Sequence, residues 1–165
     1  MKLGTKGRYA VMAMVDLANC TAMRSKHGPV TLSDIADRQE ISLSYLEQLF
    51  SKLRKKGLVK SVRGPGGGYM LARGADQLRI SDIVMAVDEP LRATRCDPMS
   101  GSGCMPDGGR CVTHDLWEEL SNHIYLFLNT VTLEDVCAGR VLGSSGVLHA
   151  AQRGDGKPQS TVAAE

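Results

Sequence analysis

The sequence has no apolar run long enough to cross a bilayer, which takes ~20 consecutive apolar residues. The longest such run near the start, Tyr9–Val15, ends at an aspartate. The first residues also lack the cleavage region of a signal peptide. These absences predict a protein of the cytoplasm that does not enter a membrane.

Motifs typical of enzymes are missing as well. The glycine-rich stretch 64–68 is not followed by the Lys-Ser/Thr pair of a phosphate-binding loop, and no buried strand precedes it. The sequence also offers no catalytic base, substrate loop or second cofactor motif. We therefore expect a protein that is not an enzyme.

The charge of the chain is divided between its two halves. At 165 residues the chain can form one domain, or one small domain with an appendage and a tail. Residues 1–79 carry 14 Lys and Arg against 6 Asp and Glu, whereas residues 80–165 carry 6 against 12. A basic half joined to an acidic half indicates that the first half contacts a polyanion, and nucleic acid is the first candidate. A solvated basic face without a partner is the alternative.

Apolar periodicity and capping residues predict three helices in the basic half. They cover Thr5–Ala22, Leu32–Gln39 and Leu43–Lys56, and the last two follow the N-cap residues Thr31 and Ser42. Two short strands then flank the glycine-rich turn. The pattern predicts a mainly α fold with a small β-hairpin wing, that is, a winged helix-turn-helix domain over residues 1–80.

The third predicted helix has the order of side chains expected of a DNA recognition helix. Hydrogen-bonding residues occupy the outer face of its first turns, where base edges are read, and cations occupy its last turns, where phosphates lie. Arg63, at the base of the wing tip, is placed to enter a minor groove. An exposed amphipathic helix of any protein is the alternative. The predicted DNA-binding residues are Ser44, Glu47, Gln48, Ser51, Lys52, Lys55 and Arg63.

The acidic half divides into three segments. Residues 81–112 hold a short helix, Asp82–Asp88, capped by Ser81, and then a loop without periodicity. Residues 113–142 hold a long helix, about Thr113–Thr130, and a short helix containing Cys137. Because so small a chain can hardly cover the apolar stripe of the long helix, we expect that helix to form a dimer. We expect the tail, residues 143–165, to be disordered.

Three of the five cysteines and one of the four histidines lie within nineteen residues of this loop. Cys96, Cys104, Cys111 and His114 are the predicted metal ligands, because three thiolates and one imidazole can hold either a tetrahedral zinc ion or a small iron-sulfur cluster. Only the last pair has the spacing of a zinc site. The residues alone leave zinc, a cluster and a thiol redox loop without metal as open alternatives.

Several stretches together resemble the iron-sulfur cluster regulators within a wider family of winged-helix transcription factors. The matching stretches are Thr5–Val11, Ile41–Val59, Val62–Tyr69, Ala93–Cys96 and Cys111–Trp117. The resemblance covers roughly residues 1–138.

This resemblance implies a homodimeric transcription regulator, of repressor type, that carries a two-iron, two-sulfur (2Fe-2S) cluster on Cys96, Cys104, Cys111 and His114. It further implies palindromic double-stranded DNA operators, control of cluster-assembly genes, and cluster-assembly scaffold proteins as partners. The loop between Cys96 and Cys111 is longer than the family pattern, which makes Cys104 the least secure ligand. A zinc-stabilised winged-helix repressor without cluster sensing is the first alternative, and an iron-sulfur electron carrier the second.

Overall fold

The structure is a computed structural model, and it describes residues 4–23, 28–89, 91, 104–105 and 108–141. The described chain is mainly helical with one antiparallel hairpin, which confirms the predicted fold class. Cys96, residues 24–27 and the tail 143–165 lie outside the described residues. The helices are α1 (Thr5–Met23), α2 (Leu32–Gln39), α3 (Leu43–Lys55), α4 (Ile80–Ala86), α5 (His114–Thr130) and α6 (Leu133–Cys137); the strands are β1 (Val59–Val62) and β2 (Gly68–Leu71).

Local capping chemistry sets the helix-turn-helix. The side chains of Thr31 and Ser42 accept hydrogen bonds from the amides of Asp34 and Tyr45, so each satisfies a free N–H at a helix start. Between the two helices Glu40 adopts a left-handed conformation, with φ of 53°, which ends α2 and turns the chain toward α3. These two predicted caps are confirmed.

The wing is joined to the helical core through one main-chain bridge. Strands β1 and β2 pair in register from Val59 opposite Leu71 to Val62 opposite Gly68. The Tyr69 amide donates to the Val30 carbonyl at 2.8 Å, and the Val30 amide donates back at 2.9 Å. A Cβ atom on Gly68 would collide with the Val30 carbonyl, so this close approach requires glycine.

The apolar core is formed by the first four helices, by residues of strand β1 and the connections between these elements, and by one residue from α6. Leu133, which opens α6, is fully buried. Main-chain hydrogen bonds hold it there: the Leu133 amide donates to the Leu78 carbonyl at 2.8 Å, and the Ile80 amide donates to the Val131 carbonyl at 3.0 Å. The end of α5 is therefore fastened to the start of α4. The largest fully buried side chains include Met14, Leu17, Ile35, Leu46, Phe50, Leu53, Ile83 and Leu133.

The predicted cap of the fourth helix is wrong. Helix α4 begins at Ile80 after Arg79, which makes no side-chain cap, and Ser81 lies inside the helix. Ser81 is fully buried, and its hydroxyl donates to the Asn129 side chain at 3.1 Å. Because the Ile80 amide donates to the carbonyl of residue 131, the helix begins at Ile80, before the serine that was predicted to cap it.

The described part of the chain leaves most of the apolar surface of helix α5 uncovered. Leu116 is 61% exposed, Leu126 56% and Phe127 48%, whereas only His114 of the helix is buried. A face of this kind on a packed domain is typical of a contact with another protein surface. No helix in the described ranges combines the length and the apolar character that a bilayer crossing demands.

Candidate nucleic-acid interface and metal centre

The outer face of α3 is presented to solvent by the packing of its inner face. Leu46, Leu49, Phe50 and Leu53 are buried, which directs the polar side chains outward. Among the predicted DNA-binding residues of this helix, Ser44, Glu47, Gln48 and Lys55 are exposed, and Ser51 and Lys52 are partly buried. Arg63 is exposed directly after β1. The cations Lys52, Arg54 and Lys55 lie in the last turn of α3, as a phosphate contact requires.

Lys52 is engaged by an acidic residue that the sequence patterns did not indicate. Its Nζ lies 2.8 Å from Oδ2 of Asp88, which follows α4 in a left-handed conformation with φ of 57°. The hydrogen bond from Lys52, together with its charge, lowers the pKa of Asp88. The neighbouring Glu89 accepts a hydrogen bond from the Gly4 amide at 2.9 Å, just before α1. Residues 88 and 89 thus connect the end of α4 to α3 and to the start of α1.

Replacing Arg63 by alanine is expected to weaken binding to every operator by roughly tenfold, because a charge-assisted hydrogen bond contributes ~1.5 kcal/mol or more. The slope of log affinity against log salt should fall by about 1, as for the loss of one phosphate contact. Fluorescence anisotropy with labelled duplexes at several salt concentrations measures both quantities. Arg140→Ala removes an equal charge at the end of α6 and serves as the control. Parent-like affinity and slope in Arg63→Ala would remove Arg63 from the interface.

Replacing Asp88 by asparagine is expected to raise DNA affinity by roughly two- to fivefold, because the Lys52 ammonium no longer has to exchange a carboxylate for a phosphate. Asp76→Asn makes the same charge change on an exposed turn and is the matched control. The same anisotropy titration compares the two variants. An equal gain in both would show a general charge effect and no competition for Lys52.

Three of the four predicted metal ligands fall within the described residues, and the structure brings them together. The ligand atoms of Cys104, Cys111 and His114 all lie within 4.8 Å of one another. Cys104 Sγ lies 3.3 Å from His114 Nδ1 and accepts a hydrogen bond from the Cys111 amide at 3.1 Å. The fourth, Cys96, lies outside the described ranges.

A tight turn and a helix start produce this grouping. The Gly108 amide donates to the Met105 carbonyl at 2.9 Å, and the Met105 amide donates to the Gly109 carbonyl at 3.0 Å, so the chain reverses between Cys104 and Cys111. The His114 amide then donates to the Cys111 carbonyl at 3.0 Å as α5 begins. The two cysteines and His114 are consequently gathered at the start of α5.

The donor set fits a soft metal centre. Thiolate sulfur and imidazole nitrogen are the ligands of zinc and of iron-sulfur clusters, in which histidine can replace cysteine. His114 is buried, and its Nε2 has no hydrogen-bond partner in the part of the chain that the structure describes. Glu118, one turn further along α5, places Oε2 at 3.5 Å from this Nε2.

The two remaining cysteines are not among these residues. Cys20 and Cys137 are partly buried and pack against the apolar core. Burial raises the pKa of the Cys137 thiol, which disfavours the thiolate that a metal binds.

Sequence reasoning missed Asp88 and Glu118. The spacing of His114 and Glu118, four residues apart on one helix, was a usable signal. The contact of Asp88 with Lys52 spans 36 residues, and nothing in the spacing of the sequence indicates it.

Helices α2 and α3 form a helix-turn-helix in which α3 is exposed and carries cations in its last turn. Together with the glycine-rich wing anchored beside them, they define a winged-helix DNA-binding regulator. The class is that of a transcriptional regulator, not an enzyme. The chain belongs to the Rrf2 family, since residues 3–139 match the model of that family, which is described as an iron-dependent transcriptional regulator.

Named relatives agree with this assignment. The chain is 49% identical to the transcriptional regulator IscR of Xenorhabdus nematophila, over 98% of this chain and 96% of that one. IscR of Salmonella paratyphi B matches at the same identity and coverage. The resemblance to the cluster regulators is thereby confirmed.

Solved structures show the same fold. The structure of T. potens IscR superposes with a TM-score of 0.66 at 37% identity, covering 90% of this chain and 96% of that one. CymR of B. subtilis, the global cysteine regulator, gives a TM-score of 0.65 at 33% identity, covering 84% of this chain and 97% of that one.

Proposed function

We propose that this transcriptional regulator binds palindromic operators as a homodimer and that a 2Fe-2S cluster on Cys96, Cys104, Cys111 and His114 controls which operators it binds. The observation that carries the proposal is the convergence of Cys104, Cys111 and His114 at the start of α5. The 49% identity to IscR chains supports an iron-sulfur centre over zinc. The target genes are those of cluster assembly, and the assembly scaffold proteins are partners in the cytoplasm that supply the cluster.

The proposed homodimer is supported by the uncovered apolar face of α5. Leu116, Leu126 and Phe127 would be buried against the same helix of a second copy. A twofold pair of recognition helices reads half-sites about one helical turn, ~34–36 Å, apart. In this arrangement residues 1–80 bind DNA, residues 81–112 bind the cluster, and residues 113–142 dimerise.

A physical path joins the metal ligands to the DNA-binding face. His114 opens α5, which packs on α4, and Asp88 after α4 holds Lys52 of α3. When bound, the cluster would supply a centre sensitive to iron and oxidants. Binding at these ligands would act on the start of α5 and, through α4, on the contact between Asp88 and Lys52.

The visible absorption spectrum of protein purified without air tests the proposal, together with its iron and sulfide content. A coloured protein with two irons and two sulfides for each chain is the expected result. A colourless protein that contains zinc would replace the cluster regulator with a zinc-stabilised repressor, since Cys104, Cys111 and His114 also suit zinc.

A further inference from the structure

We infer that Glu118 is the positioning residue of the metal centre: it fixes the His114 ring so that Nδ1, and not Nε2, binds the metal. This inference rests on the metal-binding part of the proposed function. It concerns a residue outside the ligand set and the choice between two atoms of one ligand.

The orientation of the His114 ring carries the first step. Its Nδ1 lies 3.3 Å from Cys104 Sγ, within a group in which the ligand atoms of Cys104, Cys111 and His114 are within 4.8 Å of one another. Its Nε2 faces Oε2 of Glu118 at 3.5 Å. Because the two nitrogens occupy different corners of a rigid ring, a metal shared with both sulfurs meets Nδ1.

Burial carries the second step. The side chain of His114 is 7% exposed and that of Glu118 33%, so the imidazole end of this contact is buried and the carboxylate end is partly exposed. Nε2 has no hydrogen-bond partner among the described residues, and a buried polar atom left unpaired is destabilising. A metal on Nδ1 places the proton on Nε2, and a small approach of the Glu118 carboxylate then gives a charge-assisted hydrogen bond. Carboxylates in this position orient metal-bound histidines and increase their donor strength.

The same helix contains a natural comparison. Glu119 and His123 have the same four-residue spacing, and Glu119 Oε1 lies 3.2 Å from His123 Nδ1. Both side chains are about two-thirds exposed, at 66% and 68%, and neither belongs to a group of thiols. Glu118 differs from Glu119 in its burial and in the ring that it faces.

Cadmium binding to the full-length, metal-free protein tests the inference without any need for the cluster. The protein is labelled with histidine carrying ¹⁵N at Nδ1 alone or at Nε2 alone, and ¹¹³Cd NMR then reports which nitrogen is bound. We expect ¹¹³Cd–¹⁵N coupling from the Nδ1 label only. Cadmium affinity, measured by competition with a chelator, should fall by roughly 10- to 100-fold in Glu118→Ala. Glu118→Gln keeps an acceptor oxygen and should lose less, and Glu119→Ala should bind like the parent.

Coupling from Nε2 in the parent, or equal cadmium affinities for Glu118→Ala and Glu119→Ala, would overturn the inference. If Glu118→Ala does not fold, the glutamine variant and the labelling of the parent still decide it. A cadmium signal without nitrogen coupling would remove the ligand role of His114 together with the inference. Nδ1 coupling in a protein that is colourless without air would leave the inference standing and overturn the cluster alone.

Discussion

Protein in which Cys111 or His114 is replaced by alanine is expected to lose the visible absorption of the cluster completely. Cys111, His114 and Cys104 place their ligand atoms within 4.8 Å of one another, so the loss of one donor leaves a coordination position that no thiol of the core can fill. Cys96→Ala should behave in the same way if the proposed ligand set is correct. The measurement is the absorption spectrum of each variant, prepared without air, with iron and sulfide determined on the same samples.

Cys20→Ala and Cys137→Ala are the matched controls for these variants. Each removes a thiol from the partly buried set that packs against the core, and each should keep the full colour. Circular dichroism separates a lost cluster from a lost fold. Full colour in Cys111→Ala would contradict the ligand assignment.

Replacing Glu47 by alanine is expected to reduce the discrimination between operators by ~1–3 kcal/mol while total DNA affinity stays unchanged or rises. Glu47 is exposed on the outer face of α3 and is the only acid in that helix. Near phosphates its carboxylate is repelled, unless it accepts a hydrogen bond from the amino group of a cytosine. Glu47 should therefore lower the affinity for operators that lack this cytosine, and this repulsion increases specificity.

A competition assay with operators varied at single base pairs measures this effect. Parent, Glu47→Ala and the neighbouring control Gln48→Ala are each tested with and without cluster. Glu47→Ala should bind sites that the parent rejects. Gln48→Ala should lose affinity only for operators that carry the base pair contacted by Gln48. If Glu47→Ala kept the parent's ranking of operators, α3 would dock on DNA in another way.

The parts of the fold that local chemistry determines could be predicted from sequence. Thr31 and Ser42 begin their helices through their own side chains, and the glycines between the two strands permit only a tight turn. The start of α4 was misplaced because residue 131, fifty-one positions after Ile80, supplies the hydrogen bond that sets it. A capping rule that considers only neighbouring residues cannot include such a contact.

In the candidate site, too, the sequence indicates residues that lie close together in the chain and misses contacts between distant ones. Cysteine and histidine spacing pointed to Cys104, Cys111 and His114, because thiols and imidazoles are concentrated in one loop. The contact of Asp88 with Lys52 depends on how α4 packs beside α3, and packing is decided by the whole core.

The main-chain hydrogen bonds between residues 78–80 and 131–133 also hold the C-terminal end of helix α5 in place, so that any tilt of the helix turns about that end. Helix α5 is fastened to the core beside Thr130, whereas His114 stands at its opposite end, roughly 25 Å away at ~1.5 Å per residue. A sideways displacement of ~1 Å at the His114 end turns such a helix by only roughly 2°. Since the apolar residues 116–127 lie between the fixed end and the moving end of the helix, they are displaced less than His114 is. A rearrangement at the proposed metal ligands would therefore reach the exposed apolar face as a small rotation of the helix, with the largest displacement at Leu116 and the smallest at Phe127.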